Sequence, residues 1–356
     1  MRMALQEGPQ QQMTNAEETN RRTAVLAQMI RSRVFETALG EVFAAQREHA
    51  KAALGGRNSA FEDYNAGHRI DIQGNIELSI GQEAGPAAVC AWLRDSDYAA
   101  GTHRSHSLAL AKGVSARELL AEIYGRETGL CGGRAGDFML NDTQVNFENS
   151  AIMAQLTGVA LGHAFAAKRR GRDDIAVVFI GDGASNQGIV HESMNLAAVW
   201  ALPVVFVIED NEYAISTPSR STIATGDLSL RGAAYGIPAA RTADRRTDEL
   251  IHKAGRMVAR ARAGEGPSLL VIETNRLRGA FEGDNQSYRP PGELDSAGER
   301  DALPIYADRL LADGVVTREW IEDQHRMADE QFAADLAFAE GSPFPIAETA
   351  LEGVFA

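Results

Sequence analysis

The sequence is poor in cysteine and has no long apolar run. Its two cysteines, Cys90 and Cys131, lie far apart and form no C-x-x-C pair, which favours reduced thiols in a cytoplasmic protein over a disulfide framework. No stretch of about eighteen apolar residues occurs, and the first twenty residues contain no apolar core of a signal peptide. We therefore expect neither a membrane span nor export, and we expect a cytoplasmic location.

Basic side chains are also scarce relative to acidic ones. The chain has 35 Lys and Arg against 49 Asp and Glu, a formal net charge of -14 at pH 7. No basic stripe stands out, which argues against nucleic-acid binding. The 356 residues, 44% of them hydrophobic, suit one large α/β unit with a sizeable core. We predict a disordered, Gln-rich segment over residues 1–20 and a single α/β domain over residues 21–356 that ends in a helical tail.

The stretch 175–217 predicts a strand, a helix and a second strand. Its first apolar run, 175–180, is short and rich in β-branched residues, as in a strand buried on both faces. A Gly181-Asp182-Gly183 turn and a helical pattern follow. Leu202-Pro203 ends the helix before a second apolar run, 204–208. Such a unit belongs to a largely parallel sheet with helices on both faces.

Polar side chains follow both of these predicted strands. Asp182 comes directly after the first strand and Asn211 after the second. A parallel crossover brings both carboxyl ends to one edge of the sheet, where open α/β sheets bind ligands. A carboxylate, an amide oxygen and a backbone carbonyl such as that of Tyr213 are hard donors that suit Mg²⁺ and leave positions for phosphate oxygens. The glycines let the backbone approach a phosphate closely.

Other nucleotide and metal motifs do not fit this stretch. Asn186 occupies the third position that G-x-G-x-x-G requires to be glycine, and no Gly-Lys-Ser/Thr follows for a P-loop. His191-Glu192 is followed by Asn195 where H-E-x-x-H needs histidine. Spacing alone leaves open an α/β turn that binds no ligand.

The residues of this segment resemble those of a known family. GDGASNQG, HESMNLAAVWALPVVFVIEDN and EYAIST are similar to the thiamine diphosphate fingerprint of the α subunit of the E1 component of 2-oxo acid dehydrogenases, which include pyruvate, branched-chain and acetoin dehydrogenases. The resemblance runs from about residue 25 to 325 and implies the thiamine diphosphate-binding fold. The family usually ends the fingerprint in Asn-Asn; here Asp210-Asn211 keeps the second position, which carries the metal ligand.

The resemblance also implies roles for individual residues. THRSHS (102–107) resembles the family's T-x-R-x-H-G block, in which two residues reach the diphosphate. A polar loop without a ligand remains the alternative for this block, and we discount a His103/His106 metal pair because no further ligands cluster nearby. The implied cofactor-binding positions are His103, Arg104, Ala151, Met153, Gly181, Asp182, Gly183, Ala184 and Asn211, the metal ligands are Asp182, Asn211 and Tyr213, and the candidate catalytic residue is His106.

Two positions depart from the family. Leu140 and Ala280 stand where relatives carry histidines near the reacting centre. The resemblance implies decarboxylation of a 2-oxo acid with thiamine diphosphate and Mg²⁺, followed by transfer of the acyl unit. It also implies a β subunit that supplies an activating glutamate, in an α2β2 heterotetramer, with a lipoyl acyltransferase (E2) as a possible further partner.

Three alternatives to this function remain. Because the two histidines are missing, a two-subunit carboligase that transfers the acyl unit to an aldehyde, a ketone or a biosynthetic intermediate stays open. A non-catalytic cofactor-binding subunit is a second alternative, and a nicotinamide dehydrogenase, disfavoured by the glycine spacing, is a third. The sequence names neither the 2-oxo acid nor the acceptor.

Overall fold

A computed structural model describes residues 14–53, 72 and 74–352. The helices are α1 (Asn15–Ala53), α2 (Ala84–Cys90), α3 (His106–Lys112), α4 (Ala116–Ile123), α5 (Leu156–Arg169), α6 (Gly188–Val199), α7 (Leu230–Ala234), α8 (Thr247–Arg262), α9 (Glu293–Gly298), α10 (Ala302–Ala312) and α11 (Arg318–Gly341). The strands are β1 (Tyr98–Gly101), β2 (Asn141–Asp142), β3 (Phe147–Asn149), β4 (Ala176–Gly181), β5 (Val204–Asp210), β6 (Tyr213–Ala214), β7 (Thr217–Pro218), β8 (Ala239–Ala243) and β9 (Ser268–Glu273).

A seven-stranded sheet forms the centre of the described fold. Its order is β2-β3-β1-β4-β5-β9-β8, and only the β2–β3 pair is antiparallel. The predicted strand–helix–strand unit is β4, α6 and β5. Gly181 pairs with Glu209, so β4 and β5 end side by side at one edge. The prediction of a largely parallel sheet is confirmed.

Helices cover both faces of this sheet, as predicted. Side chains of β4 alternate between two apolar cores: Val177 and Phe179 enter one, Val178 and Ile180 the other. Helices α1–α4, α8, α10 and α11 pack in the first core, and α5 and α6 pack in the second. Each large side chain buried in this way contributes about 1.5–3 kcal/mol.

The N-terminal boundary differs from the prediction. Helix α1 begins at Asn15, so residues 15–20, expected to be disordered, are helical; residues 1–13 lie outside the described part. The reason is a capping box: the Glu17 amide donates to the Thr14 hydroxyl (3.3 Å), and the Thr14 amide donates to the Glu17 carboxylate (2.9 Å).

The C-terminal part of the chain is helical. Helix α11 packs against α1 and α4, which ties this part to the first core. Among the described helices, none combines the length and the apolar character that a membrane crossing requires.

Candidate active site

A cleft opens at the carboxyl ends of β1, β4 and β5, where the sequence predicted a site. It gathers most of the predicted residues: His103, Arg104, Met153, Gly181, Asp182, Gly183, Ala184, Asn211 and Tyr213. Residues that the prediction did not assign also line it, among them Gln82, Ser150, Ile152, Glu209, Ile215 and Arg276. Peptide segments far apart in sequence thus meet at one sheet edge.

Asp182 is the buried carboxylate at the tip of β4. Its Oδ1 accepts a hydrogen bond from the Gly183 amide at 2.6 Å, whereas its buried Oδ2 has no hydrogen-bond partner among the described residues. Burial raises the pKa of Asp182 to about 6, against the lowering effect of the Gly183 amide. An unpaired buried oxygen is costly unless a ligand completes it, and a divalent cation would do so.

Asn211 and Tyr213 stand beside this carboxylate at the tip of β5. The Asn211 side chain accepts from the Tyr213 amide (3.2 Å) and donates to Gln82 (2.6 Å), which fixes its orientation. Among the described residues no group of three His, Cys, Asp or Glu side chains could hold a metal. A cation at this edge would therefore need one carboxylate completed by amide and carbonyl oxygens, the kind of donor set that Mg²⁺ accepts.

Gly183 permits the close approach of the turn after β4 to strand β6. A Cβ at this position would lie 2.3 Å from the Cβ of Ala214, in the short strand that carries Tyr213. The φ angle of Gly183 is -64°, which any residue adopts, so the requirement for glycine here is one of space.

Arg104 and Arg276 form a cationic wall of the cleft. The guanidinium of Arg104 is buried and donates to the carbonyls of Leu78 (2.6 Å) and Ala280 (2.5 Å). Burial lowers its pKa to about 10, so Arg104 remains a cation at neutral pH. Arg276 also lines the cleft and donates to the Ile215 carbonyl (2.9 Å) and the Tyr288 hydroxyl (2.6 Å). The two guanidinium groups give the cleft an anion-binding side.

His103 sits in the same wall as a neutral ring. Burial lowers its pKa to about 4, and the charges of Arg104 and Arg276 add to that effect. Its Nδ1 is buried without a hydrogen-bond partner in the described part of the chain, so a ligand can still use it.

Sequence reasoning assigned no role to three polar lining residues. Gln82 lies in the block IELSIGQEAG (76–85) and Arg276 in ETNRLRGA (273–280). Both blocks resemble the family, and this resemblance could have pointed to the two residues. Glu209 is the penultimate residue of β5; burial raises its pKa to about 8, although Arg104 lowers it. Its carboxyl group is therefore protonated at neutral pH.

Two predicted residues do not reach the cleft. His106, the candidate catalytic residue, is fully buried between Glu36 and Asp137 and lines no part of it. Its side chain points from the start of helix α3 towards α1, where it meets Glu36 and Phe35. Ala151 is exposed and lies outside the lining, between Ser150 and Ile152.

The two expected histidine replacements have different positions. Ala280 lines the cleft, as predicted. Leu140 does not line the cleft, because its side chain is 0% exposed and packs in the core. Its neighbour Met139 is 50% exposed and lies next to Ser150, whose hydroxyl is 3.8 Å from the Met139 sulfur. In this turn Met139 faces outwards and Leu140 faces the core.

Comparisons with known proteins agree with this geometry. Residues 58–348 match the family described as "Dehydrogenase E1 component". The chain is 39% identical over 290 residues to the α subunit of acetoin:2,6-dichlorophenolindophenol oxidoreductase from Cupriavidus necator, covering 81% of this chain and 87% of that protein. It is 36% identical over 277 residues to the Bacillus subtilis protein of the same name, covering 77% and 82% of the two chains.

A third relative is a pyruvate dehydrogenase subunit. The chain is 33% identical over 276 residues to the E1 component subunit alpha of Rhizobium meliloti, covering 77% of this chain and 79% of that protein. The family match spans most of the chain, and all three relatives are α subunits. The chain therefore belongs to the dehydrogenase E1 component family, as an α-type subunit of a thiamine diphosphate-dependent 2-oxo acid dehydrogenase component.

Proposed function

We propose that this cleft binds thiamine diphosphate through a Mg²⁺ ion held by the Asp182 carboxylate, the Asn211 amide oxygen and the Tyr213 backbone carbonyl. The observation that carries the proposal is the buried Asp182 Oδ2, which has no partner among the described residues at the tip of β4. Asp182 lines the cleft together with Asn211 and Tyr213, and a hard cation with oxygen ligands suits this set. The glycines at 181 and 183, with Ala184, leave the backbone open to the phosphates.

The other polar groups of the cleft neutralise and orient the diphosphate. A cofactor diphosphate brings several negative charges, of which Mg²⁺ offsets two; Arg104 and Arg276 supply the remaining positive charge with planar, forked donors. His103 is neutral, so it acts as a hydrogen-bonding group without adding charge. The carbonyls of Leu78 and Ala280 hold the Arg104 guanidinium in place before the cofactor arrives.

The apolar wall of the cleft holds the ring end of the cofactor. Ile152 and Met153 line it, and their backbone groups, with that of Ala151 nearby, would face the aminopyrimidine. Backbone contacts tolerate a change of side chain, so these residues can serve where relatives carry others. When bound, thiamine diphosphate supplies the electron sink that allows a 2-oxo acid to lose CO₂.

A partner subunit completes this site. Ile152 and Ile215 line the cleft yet are 59% and 72% exposed, and exposed apolar side chains at a site mark an interface. The activating glutamate that the family places on a β subunit would enter from this side, in an α2β2 heterotetramer that works in the cytoplasm. A lipoyl acyltransferase would be the next partner if the acyl unit passes to a lipoyl arm.

One observation favours a second acceptor class. Ala280 lines the cleft where relatives have a histidine, and a histidine commonly moves protons. A carboligase that passes the acyl unit to an aldehyde or ketone is therefore the alternative function. The α chain purified with its β subunit would distinguish the two: acyl transfer to lipoamide supports the dehydrogenase component, and carboligation products without such transfer support the alternative.

The cofactor site itself is tested by thermal unfolding. Thiamine diphosphate and Mg²⁺ together should raise the Tm of the α chain purified with its β subunit, each alone should have little effect, and Asp182→Ala should abolish the joint effect. Asp323→Ala is the control, since Asp323 is exposed on α11 and pairs with Arg326 at the surface. An unchanged joint stabilisation in Asp182→Ala would contradict the proposal.

A further inference from the structure

A buried histidine joins two acidic side chains beneath the cleft. His106 Nδ1 lies 3.3 Å from a carboxylate oxygen of Glu36, and its Nε2 is in hydrogen-bond contact with Asp137. All three side chains are buried. Glu36 belongs to α1, His106 begins α3, and Asp137 lies in the loop 129–140, so three separate segments meet at one imidazole.

This arrangement fixes the protonation state of the ring. Both ring nitrogens face carboxylate oxygens, and this geometry favours a proton on each nitrogen and therefore the imidazolium form. Burial opposes the charge, but Asp137 and Glu36 outweigh it and raise the pKa of His106 well above the usual value. Glu77 and Arg104 are the other charged groups that interact with this cluster.

Glu36 and Asp137, the two partners of the His106 ring, are each held by further hydrogen bonds. On one side, Glu36 accepts from the Ser79 amide at 3.1 Å and from its hydroxyl, and Ser79 in turn meets Ser107 at 2.5 Å. On the other side, the Asn149 amide group donates to the Asp137 carbonyl (3.1 Å).

Asn149 ties the loop to the wall of the cleft. Its amide nitrogen also meets the Ser105 hydroxyl at 3.1 Å, and its oxygen accepts from the Leu140 amide at 2.7 Å. Asn149 is the last residue of β3 and directly precedes Ser150, which lines the cleft. His106, at the other end, follows the lining residue Arg104 by two positions. These contacts therefore join the segment that follows Arg104 to the segment that leads into Ser150, and both of these residues line the cleft.

The first part of the loop is held by the buried Glu122 carboxylate, which accepts from the amides of Cys131, Gly133 and Ala135. The part that follows Gly136 depends on Asp137 and Asn149. Residues 129–140 contain four glycines, at 129, 132, 133 and 136, and no helix or strand of the described structure. Glycines cost more conformational entropy on ordering than other residues.

We propose that Glu36, His106 and Asp137 form a charged clamp that orders the loop 129–140 and holds the two walls of the cleft at the spacing the cofactor requires. His106 is thus a positioning residue. The inference rests on the proposed cofactor site, but the order of the loop can be measured without any cofactor.

The clamp predicts a specific pH dependence. Because the pKa of His106 is raised in the folded protein, the stabilisation is complete below the unfolded value near 6.5 and is lost as the pH rises through the folded value. The loop should therefore become less ordered at alkaline pH. Variants that lack one of the two carboxylates beside the imidazolium, Asp137→Asn and Glu36→Gln, should show no such transition.

Trypsin cleavage after Arg134 measures this directly, since Arg134 is exposed within the loop. With the full chain, and rates normalised to a small arginine substrate, cleavage should accelerate as the pH rises from neutral to alkaline. Asp137→Asn should be cut about tenfold faster at neutral pH, as for loss of a charged hydrogen bond, and should lose the pH transition. Glu36→Gln should behave in the same way, and Asp323→Asn serves as the matched surface control.

Cofactor titration of the same proteins completes the test. Asp137→Asn should raise the Kd for thiamine diphosphate with Mg²⁺ about tenfold or more, while its circular dichroism stays that of the wild type. Cleavage rates and Kd in Asp137→Asn and Glu36→Gln equal to those of the control would overturn the clamp. Failure of the wild-type α chain, purified with its β subunit, to bind the cofactor would instead overturn the proposed function, whatever the trypsin result.

Discussion

Substituting Gly183 by alanine tests whether the turn after β4 must touch strand β6, which carries Tyr213 and Ala214. The new Cβ would lie 2.3 Å from the Cβ of Ala214 and 3.5 Å from its Cα, where ordinary carbon contacts are about 3.5–4.0 Å. The backbone angles of Gly183 suit alanine, so the cost comes from the contact alone. Relief requires the turn and the strand to separate by roughly an ångström or more, to reach an ordinary carbon contact.

The expected magnitude follows from this overlap. Overpacking of a buried contact costs about 1–3 kcal/mol, and we expect a loss in this range in the free energy of unfolding by urea. Because Ala214 follows Tyr213 directly, the same shift moves the proposed metal-ligand carbonyl. The Kd for thiamine diphosphate in excess Mg²⁺, measured by calorimetric titration, should therefore rise as well.

A second substitution provides the rescue. Ala214→Gly in the Gly183→Ala background removes the contacting Cβ and should recover most of the cofactor affinity. Gly298→Ala is the control, because a Cβ there meets nothing within 4 Å, and it should change the free energy of unfolding by less than about 0.5 kcal/mol. If Gly183→Ala matches this control in both measurements, or if Ala214→Gly brings no recovery, the close approach of the turn to strand β6 is irrelevant to binding.

Two further substitutions and titrations address the cationic wall. Arg104→Ala should weaken cofactor binding by about 1.5–3 kcal/mol, as for a hydrogen bond to a charged group. Arg104→Lys should recover only part of the lost affinity, because lysine lacks the forked donor geometry of the guanidinium. An unaltered calorimetric Kd in Arg104→Ala would remove this residue from the site. His103, with its pKa lowered to about 4, should stay neutral in an NMR titration from about pH 5 to pH 8. Its contribution to stability should be complete above the unfolded pKa and lost as the pH falls towards 4. Proton uptake near pH 6.5 would show that the ring is solvated.

Much of the site follows from sequence because it depends on strand ends. The apolar runs that become β4 and β5 are unambiguous, and the carboxyl ends of parallel neighbours must meet. The positions of Asp182 and Asn211 at one sheet edge could therefore be predicted from the amino-acid sequence alone. The arginine at 104 came from the family block, where a polar loop was the alternative on residues alone.

The residues that sequence reasoning misplaced depend on side-chain direction. His106 lies only two positions from Arg104, yet its ring enters the core because it begins a helix whose buried side faces α1. Leu140 likewise turns its side chain into the core, whereas the side chain of its neighbour Met139 is exposed. Motif spacing carries neither kind of information.

Sequence reasoning also assigned no role to cleft residues that come from segments far apart in the sequence. Glu209 and Arg276 acquire their roles from the burial and the neighbours that the folded sheet edge provides. The start of the N-terminal helix, in contrast, could be predicted from T-N-A-E, which is a capping box. The polar, Gln-rich composition of this segment favoured disorder instead.

A crystal structure of the protein with Mg²⁺ and thiamine diphosphate tests the central claim most directly. The account predicts one metal ion bonded to the Asp182 carboxylate, the Asn211 side-chain oxygen and the Tyr213 carbonyl, each at about 2.1 Å, with the diphosphate between this ion and the guanidinium of Arg104. A diphosphate bound elsewhere, or a metal ion that Asp182 does not contact, would contradict it.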